Sequence, residues 1–235
     1  MRARWIRERA ATLVVAGLLV ATAGAFVWTE RQKLQPPPFE VREVTETFSP
    51  VCRCDTAAAE IALEFRRRTR LTLEIADEDG NVVRPLVTGV QERGPVVIRW
   101  NGRDAAGAVV REGTYRPRAR IGGNSRVFLL PNRIVVDTTT PQTTLVRVEP
   151  KEISASGRGR IEVHYALSER AHPLLYVNGR LYARGLARRR GKLDWFPRVR
   201  GVPRRPGRYR LQLAARDLAG NTGPLTRTVV VRVRR

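Results

Sequence analysis

The chain has 235 residues, and its 44 basic and 22 acidic side chains give a formal net charge of +22 at pH 7. This length excludes a single small β-sandwich and is sufficient for two sandwiches of about 100 residues each. So large an excess of cations predicts an attraction to polyanions that weakens as salt is added.

The N-terminal segment is predicted to be a membrane anchor. A basic tail over residues 1–9 precedes an apolar run without charges from Ala10 to Trp28. A helix of this length is about 28 Å long, close to the thickness of a bilayer core. We therefore predict a transmembrane signal-anchor helix over residues 10–29 in the plasma membrane, with the N-terminus cytoplasmic by the positive-inside rule and the C-terminal domains extracytoplasmic. The alternative is a signal peptide, cleaved at a small-residue site such as Ala23-Gly24-Ala25, which leaves a secreted protein.

Two connectors that contain proline divide the remaining chain into domains. The first is a Pro-rich linker over residues 30–43, and the second is a short linker over residues 138–141. They bound a first domain at residues 44–137 and a basic second domain at residues 142–235. Apolar and polar residues alternate in both domains, between turn signals such as Asn178-Gly179. The predicted fold class is all-β, with the N-terminal transmembrane helix followed by two tandem immunoglobulin-like antiparallel β-sandwiches.

Two cysteines, Cys52 and Cys54, are the only ones in the chain, and both follow the predicted anchor, on the side where disulfides persist. Residues two apart lie near the upper limit of the distance that a disulfide bridges. We predict a local disulfide between them, and intermolecular bridging and free thiols are the alternatives.

Four aromatic residues are predicted to form the structural core. Trp100 stands 15 residues before Tyr115, and Trp195 stands 14 before Tyr209. Each Tyr also follows a Gly by two positions. The shared spacing favours two diverged copies of one module, in which these aromatic residues fix the packing of the sheets.

The positive charge is concentrated in the second domain. Residues 142–235 contain 22 basic and 6 acidic residues, whereas residues 31–141 contain 18 and 14. Guanidinium groups suit phosphate and carboxylate groups, so this domain is the predicted contact surface for polyanions. The alternative is a solvated basic surface that keeps the protein soluble. The polyanion-binding candidates crowd a stretch that we expect to be rich in loops: Arg188, Arg189, Arg190, Lys192, Arg198, Arg200, Arg204 and Arg205.

A smaller basic set is predicted in the first domain. Arg116, Arg118 and Arg120 alternate with other residues along a predicted strand, so their side chains should share one outer face. Pro117 indicates that this strand lies at the edge of a sheet or is bulged.

The sequence lacks patterns of catalytic residues. Neither His164 nor His172 is flanked by a nucleophile or by a metal-ligand spacing. The acidic turn Asp77-Glu78-Asp79 could hold a cation, but acidic hairpin turns are commonplace. We therefore expect no catalytic, cofactor-binding or metal-binding residues and no cofactor, and we predict that the protein is not an enzyme.

Three motifs in the first domain occur in an order that resembles a known module. They are Phe48-Ser49-Pro50, the turn and strand over residues 79–84, and the segment over residues 98–115. Residues 45–137 resemble the immunoglobulin-like domain of the flagellar hook-capping protein family, which is reused in many bacterial surface and secreted proteins. The resemblance implies an immunoglobulin-like β-sandwich that serves as a spacer, adhesin or interaction domain. Residues 142–235 resemble bacterial immunoglobulin-like domains more loosely.

These observations together predict a membrane-anchored, extracytoplasmic and non-enzymatic interaction or spacer protein of a bacterial cell envelope. The basic second domain would contact an anionic cell-wall polymer, an acidic glycan or an acidic protein. We do not expect nucleic acid to be a partner, because the predicted topology places the folded domains outside the cytoplasm. The alternative is an accessory subunit of an envelope, secretion or surface-appendage assembly that acts by protein–protein contact.

Overall fold

The computed structural model describes residues 17–26, 37–122, 126–155, 159–199 and 202–235. By compactness the chain divides into two units, Met1–Pro38 and Phe39–Arg235.

The described part of the first unit contains one helix, α1, over residues 17–26. No helix among the described residues is long and apolar enough to cross a membrane. Residues 1–16 and 27–36 lie outside the described part of the chain. They include the rest of the predicted anchor, its basic tail and most of the Pro-rich linker.

The second unit consists of strands, and its first half forms one sandwich of two sheets. Its first strand begins at Phe39, so residues 39–43 belong to a sheet and not to the linker in which we expected them. The strands of this first domain are β1 (Phe39–Val44), β2 (Thr47–Phe48), β3 (Ala59–Phe65), β4 (Thr69–Ala76), β5 (Val82–Gln91), β6 (Gly94–Trp100), β7 (Gly113–Ile121), β8 (Arg126–Leu129) and β9 (Ile134–Val136).

One sheet of the first domain has the order β1-β3-β6, and the other has the order β2-β9-β7-β4-β5, with β8 beside β7. The alternation along β3 explains how the core forms, because Ile61, Leu63 and Phe65 are buried while the residues between them are not. Burying one such side chain contributes about 1.5–3 kcal/mol. Phe48 and Trp100 pack edge to face in the same core, with ring centroids 5.5 Å apart.

The second half of this unit forms a second sandwich with its own core. One sheet has the order β10-β12-β14, and the other has the order β13-β12-β17-β18-β11, since the long β12 takes part in both. The strands are β10 (Thr143–Glu149), β11 (Glu152–Ser154), β12 (Ile161–Val177), β13 (Arg180–Arg184), β14 (Arg188–Trp195), β15 (Arg198–Val199), β16 (Val202–Pro203), β17 (Gly207–Arg216) and β18 (Val229–Arg234).

The two domains share details that are typical of a duplicated module. In each domain a short N-terminal strand runs parallel to the last strand, β2 beside β9 and β11 beside β18. Trp100 and Tyr115 have ring centroids 5.1 Å apart, and so have Trp195 and Tyr209. All four residues contribute to the two cores, although Tyr209 is only partly buried.

The hydroxyl group of each of these tyrosines also makes a hydrogen bond to the turn that precedes its strand. Tyr115 Oη donates a hydrogen bond to the carbonyl of Arg111, and Tyr209 Oη donates to that of Arg205, both at 2.8 Å. In each case the acceptor lies four residues upstream, in the turn before the strand. The hydroxyl therefore ties this turn to the core.

Tyr115→Phe and Tyr209→Phe are each expected to lower the free energy of unfolding by about 1 kcal/mol, because each removes one intramolecular hydrogen bond. Urea denaturation measures this change. Tyr176→Phe is the matched control, since its hydroxyl group makes no hydrogen bond to the described residues. An equal loss of stability in all three variants would contradict the role assigned to the hydroxyl groups of Tyr115 and Tyr209.

Candidate functional site

Four of the predicted polyanion-binding residues lie on one strand. Arg188, Arg189, Arg190 and Lys192 belong to β14 and are exposed. Within the described part of the chain, β14 pairs with β12 alone, so its other side is a free edge. This corrects our expectation of a loop, and it fits the general use of charged side chains to keep sheet edges from pairing with other chains.

The alternation along β14 separates these side chains into two sets. Leu193 and Trp195 point into the core, so Arg190 and Lys192, which pair with Ala166 and His164, point to the outer face of the sheet. The register shifts between Ala166 and Ala171, and Arg188 pairs with Ala171 beyond this irregularity. Alternate residues of a strand lie about 6.6–6.8 Å apart, which is the spacing of Arg190 and Lys192, and with Arg188 they form a row of exposed cations along the edge strand.

An acidic side chain neutralises part of this row. Lys192 Nζ lies 2.6 Å from Glu162 Oε1, and Arg160 contacts both Glu162 at 3.0 Å and Asp194 at 3.4 Å. Hydrogen bonds from Lys192 and Arg160 lower the pKa of Glu162 to about 2. Lys192 is therefore engaged, whereas Arg188 and Arg190 form no ion pair with any described residue.

The second domain has too few acidic residues to neutralise its cations. Four of its six acidic side chains are paired with arginine or lysine, namely Glu149, Glu152, Glu162 and Asp194. The other two, Glu169 and Asp217, lie together at the contact with the first domain. The surplus positive charge of this domain is therefore not compensated within it.

The remaining candidates lie around the hairpin of β15 and β16. The guanidinium group of Arg204 lies 5.9 Å from the ring centroids of Tyr182 and Tyr209 and 6.0 Å from that of Trp195. This half-buried arginine therefore covers the core, and cation–π contacts stabilise it there. Arg205 is exposed, Arg198 is half-buried in β15, and Arg200 lies outside the described residues.

Two of the three basic residues predicted on β7 are neutralised, whereas Arg116 forms no ion pair with any described residue. Glu74 Oε1 accepts hydrogen bonds from Arg118 at 2.6 Å and from Arg120 at 2.9 Å. Burial raises the pKa of Glu74, but the hydrogen bonds from these two arginines outweigh it, and the net pKa is lowered. The predicted edge position of Pro117 is wrong, because β7 pairs with β4 on one side and with β9 and β8 on the other. The proline stands where pairing changes from β9 to β8, so its missing N–H interrupts no ladder.

A second structured site joins the two domains. Cys52 and Cys54 form a disulfide in residues 49–58, which we name the disulfide loop. Thr56 Oγ1 donates a hydrogen bond of 2.8 Å to the carbonyl of Ala219 in the second domain. A Cβ atom on Gly220 would lie 2.5 Å from Cys54 Sγ, so only glycine allows this approach. The disulfide loop is thus packed directly on residues 217–221, which we name the docking turn.

The docking turn repeats a structure that occurs twice in the first domain. Residues 77–81, 104–108 and 217–221 all begin with Asp, and each has a Gly with positive φ at its fourth position. In each turn the Asp carboxylate accepts a hydrogen bond from the backbone N–H four residues on, at 2.8–2.9 Å. The first two turns are largely exposed, and the third is mostly buried because it contacts the first domain.

Three carboxylates meet beside the docking turn. The ligand atoms of Asp137, Glu169 and Asp217 lie within 4.8 Å of one another. Burial raises the pKa of both Asp137 and Glu169, and the neighbouring carboxylates, including Glu112, raise each further. These oxygens are of the type that binds cations, but those of Asp217 already accept hydrogen bonds from Gly220 and Asn221. Our sequence analysis missed this cluster because its members are far apart in the chain.

The carboxylate cluster predicts a pH-dependent stability. The folded-state pKa values of Asp137 and Glu169 lie above their ordinary values of 3.8 and 4.5, so the folded protein retains protons that the unfolded chain has lost. Stability should therefore fall as pH rises from these ordinary values through the raised ones. Glu169→Gln should flatten this decline in urea denaturation, whereas the exposed Glu78→Gln should leave it unchanged. A decline of equal slope in both variants would contradict the prediction.

The first domain matches a known protein family. The sequence pattern of the FlgD Ig-like domain family matches residues 54–120. This confirms the resemblance that we drew from the motifs, and the first domain is an immunoglobulin-like domain of the FlgD type. No curated protein matches the sequence.

Three solved structures illustrate which proteins are similar to the chain. The fibronectin(III)-like modules of CbhA from Clostridium thermocellum have a TM-score of 0.44 at 12% identity, over 83% of this chain and 92% of that chain. The FN1–FN3 domains of chicken CNTN1 have a TM-score of 0.45 at 13% identity, over 85% and 68%. The BSP domain of a biofilm associated protein has a TM-score of 0.31 at 12% identity, over 83% and 30%.

Proposed function

We propose that this protein is a membrane-anchored, extracytoplasmic and non-enzymatic interaction protein that contacts anionic envelope polymers through its second domain. The observation that carries the proposal is the free edge of β14. There Arg188 and Arg190 are exposed and form no ion pair with the described residues, in a domain whose acidic side chains are already engaged.

A polymer suits this edge better than a small ligand does. The two arginines are exposed two residues apart on one edge strand, and they are not enclosed in a pocket. A chain with repeated phosphate or carboxylate groups can contact several such cations at once. The contact gains strength from multiplicity, although each exposed pair contributes little by itself.

The first domain serves mainly as a spacer in this proposal. Arg118 and Arg120 of β7 are bound to Glu74, and residues 31–141 have a nearly balanced charge, with 18 basic and 14 acidic residues. The disulfide loop fixes the second domain to it, and the N-terminal apolar segment would hold both domains at the membrane.

The test is co-sedimentation of residues 37–235 with a phosphate-bearing wall polymer, an acidic polysaccharide and a neutral polysaccharide, each across a salt series. The Debye length falls from about 10 Å at 0.1 M salt to about 3 Å at 1 M, so binding to either anionic polymer should fade over this range. Binding to the neutral polysaccharide as strong as to the anionic ones would refute the proposal.

A second function is favoured by exposed apolar side chains of the second domain. Leu181, Leu186 and Phe196 have large, exposed apolar side chains. The backbone of Phe196 is held in place by a hydrogen bond of 3.3 Å from its N–H to the hydroxyl of Tyr182. Such residues suit a packed contact with another protein of an envelope, secretion or appendage assembly. Capture of one partner protein from envelopes, unchanged at high salt and lost in Leu186→Asp, would support this alternative.

A further inference from the structure

We propose that the Cys52–Cys54 disulfide is a redox-controlled latch, which holds the two domains together while oxidised and releases them when a dithiol reduces it. The proposal concerns the joint between the domains and is independent of what the basic edge binds. It rests on the position of the disulfide loop, on the direct contacts that this loop makes with the second domain and on the charges that oppose the joint.

The two sulfur atoms form part of the contact surface itself. Gly220 is packed against them so closely that a Cβ atom would lie 2.5 Å from Cys54 Sγ and 3.4 Å from Cys52 Sγ. Thr56 Oγ1, which donates to the carbonyl of Ala219, lies 3.1 Å from Cys54 Sγ. A movement of the sulfur atoms therefore acts on the docking turn directly, because no other described residue lies between them.

Two further contacts across the joint are made by described residues. Asn221 Nδ2 donates a hydrogen bond of 2.9 Å to the carbonyl of Asp137, and Gly223 packs against the carbonyl of Pro141. Against these contacts stand the carboxylates of Asp137, Glu169 and Asp217, which repel one another when ionised. The disulfide loop thus contributes a direct contact to a joint in which these carboxylates repel one another.

Reduction would remove the fit at this contact. Two sulfur atoms that are no longer bonded must move apart to a non-bonded separation, which for heavy atoms is about 3.5–4.0 Å. Gly220 and Thr56 lie against the sulfur atoms on the side of the docking turn, so they block movement toward that side. The disulfide loop must therefore shift away from the docking turn.

Reduction of the Cys52–Cys54 disulfide requires only a dithiol, and a groove gives the dithiol access to the two sulfur atoms. A thiolate of the dithiol attacks one sulfur, the Cys52–Cys54 bond breaks, and the other sulfur leaves as a thiolate that takes up a proton. The second thiolate of the reductant then attacks the mixed disulfide, which frees the second cysteine and leaves a cyclic disulfide. Both cysteines are half-buried in a groove of about 450 Å³, which Arg53 and Arg216 also line. These guanidinium groups favour the thiolate that leaves.

The test is hydrogen–deuterium exchange of the full-length chain in mild detergent, with and without dithiothreitol. The turn over residues 104–108 is an internal control, because it shares two hydrogen bonds between its first and fifth residues with the docking turn but is largely exposed. Reduction should speed exchange in residues 217–223 about tenfold or more, while exchange in residues 104–108 and in β3 stays constant.

A variant separates the latch from effects of the reagent. Cys52→Ser/Cys54→Ser should show the fast exchange without dithiothreitol and should not respond to it. Unchanged exchange in residues 217–223, when mass spectrometry shows both cysteines reduced, would overturn the proposal. An equal rise of exchange in β3 would overturn it as well, because the disulfide would then stabilise the first domain and not the joint.

Discussion

Replacing Arg188 and Arg190 together with glutamate is expected to weaken binding to an anionic polymer by about 100-fold, because each substitution turns an attraction into a repulsion. Both side chains are exposed on an edge strand, and neither pairs with an acidic side chain in the described part of the chain. Arg189 is left in place, because its charge acts on Glu169 and its reversal would disturb the joint between the domains. The measurement is the sedimented fraction against polymer concentration at low salt.

The chain provides a matched control for this double substitution. Arg66 and Arg67 are exposed neighbours between β3 and β4 in the first domain, and replacing them with glutamate changes the net charge by the same amount. This control should retain most of the binding. If both double variants lose binding equally, the total charge of the protein attracts the polymer, and the edge of β14 is not a site.

The sequence predicted the sandwich cores well because burial in a strand follows a period of two. In β3, for example, Ile61, Leu63 and Phe65 are buried, and in β12 Ile161, Val163 and Tyr165 are buried, at alternate positions. The Trp and Tyr of each domain were also predicted as core residues, and their rings lie in contact. Large aromatic side chains of this kind are stabilised most by burial, and in a sandwich the buried space lies between the two sheets.

The sites were harder to predict because they depend on contacts between distant segments. Nothing in the local sequence indicates that Arg204 covers Trp195. The aromatic rings around Arg204 come from three different strands, β13, β14 and β17. Nor does it indicate that Asp137, Glu169 and Asp217 meet. A signal for the docking turn was present in the repeated Asp and Gly of residues 217–221, but only the structure shows that this copy is buried in the joint.

Trp195→Ala is expected to lower the free energy of unfolding by about 3–5 kcal/mol, since it removes a large, fully buried aromatic side chain and leaves a cavity. Trp195 is 0% exposed, and its ring packs against Tyr209 and beneath Arg204. The loss is a large part of the stability of a typical domain, about 5–15 kcal/mol, so the second domain should unfold at low urea concentration. Urea denaturation followed by near-ultraviolet circular dichroism measures it.

The neighbouring aromatic residue provides the control for this substitution. Phe196 is 42% exposed, and Phe196→Ala should change the free energy of unfolding by less than about 1 kcal/mol, because less apolar area returns to water and no cavity forms. Trp195→Phe should lie between the two, since the indole Nε1 is buried without a hydrogen-bond partner among the described residues and its removal costs no bond. If Phe196→Ala destabilised the domain as much as Trp195→Ala, the assignment of Trp195 to the core of the second sandwich would be wrong.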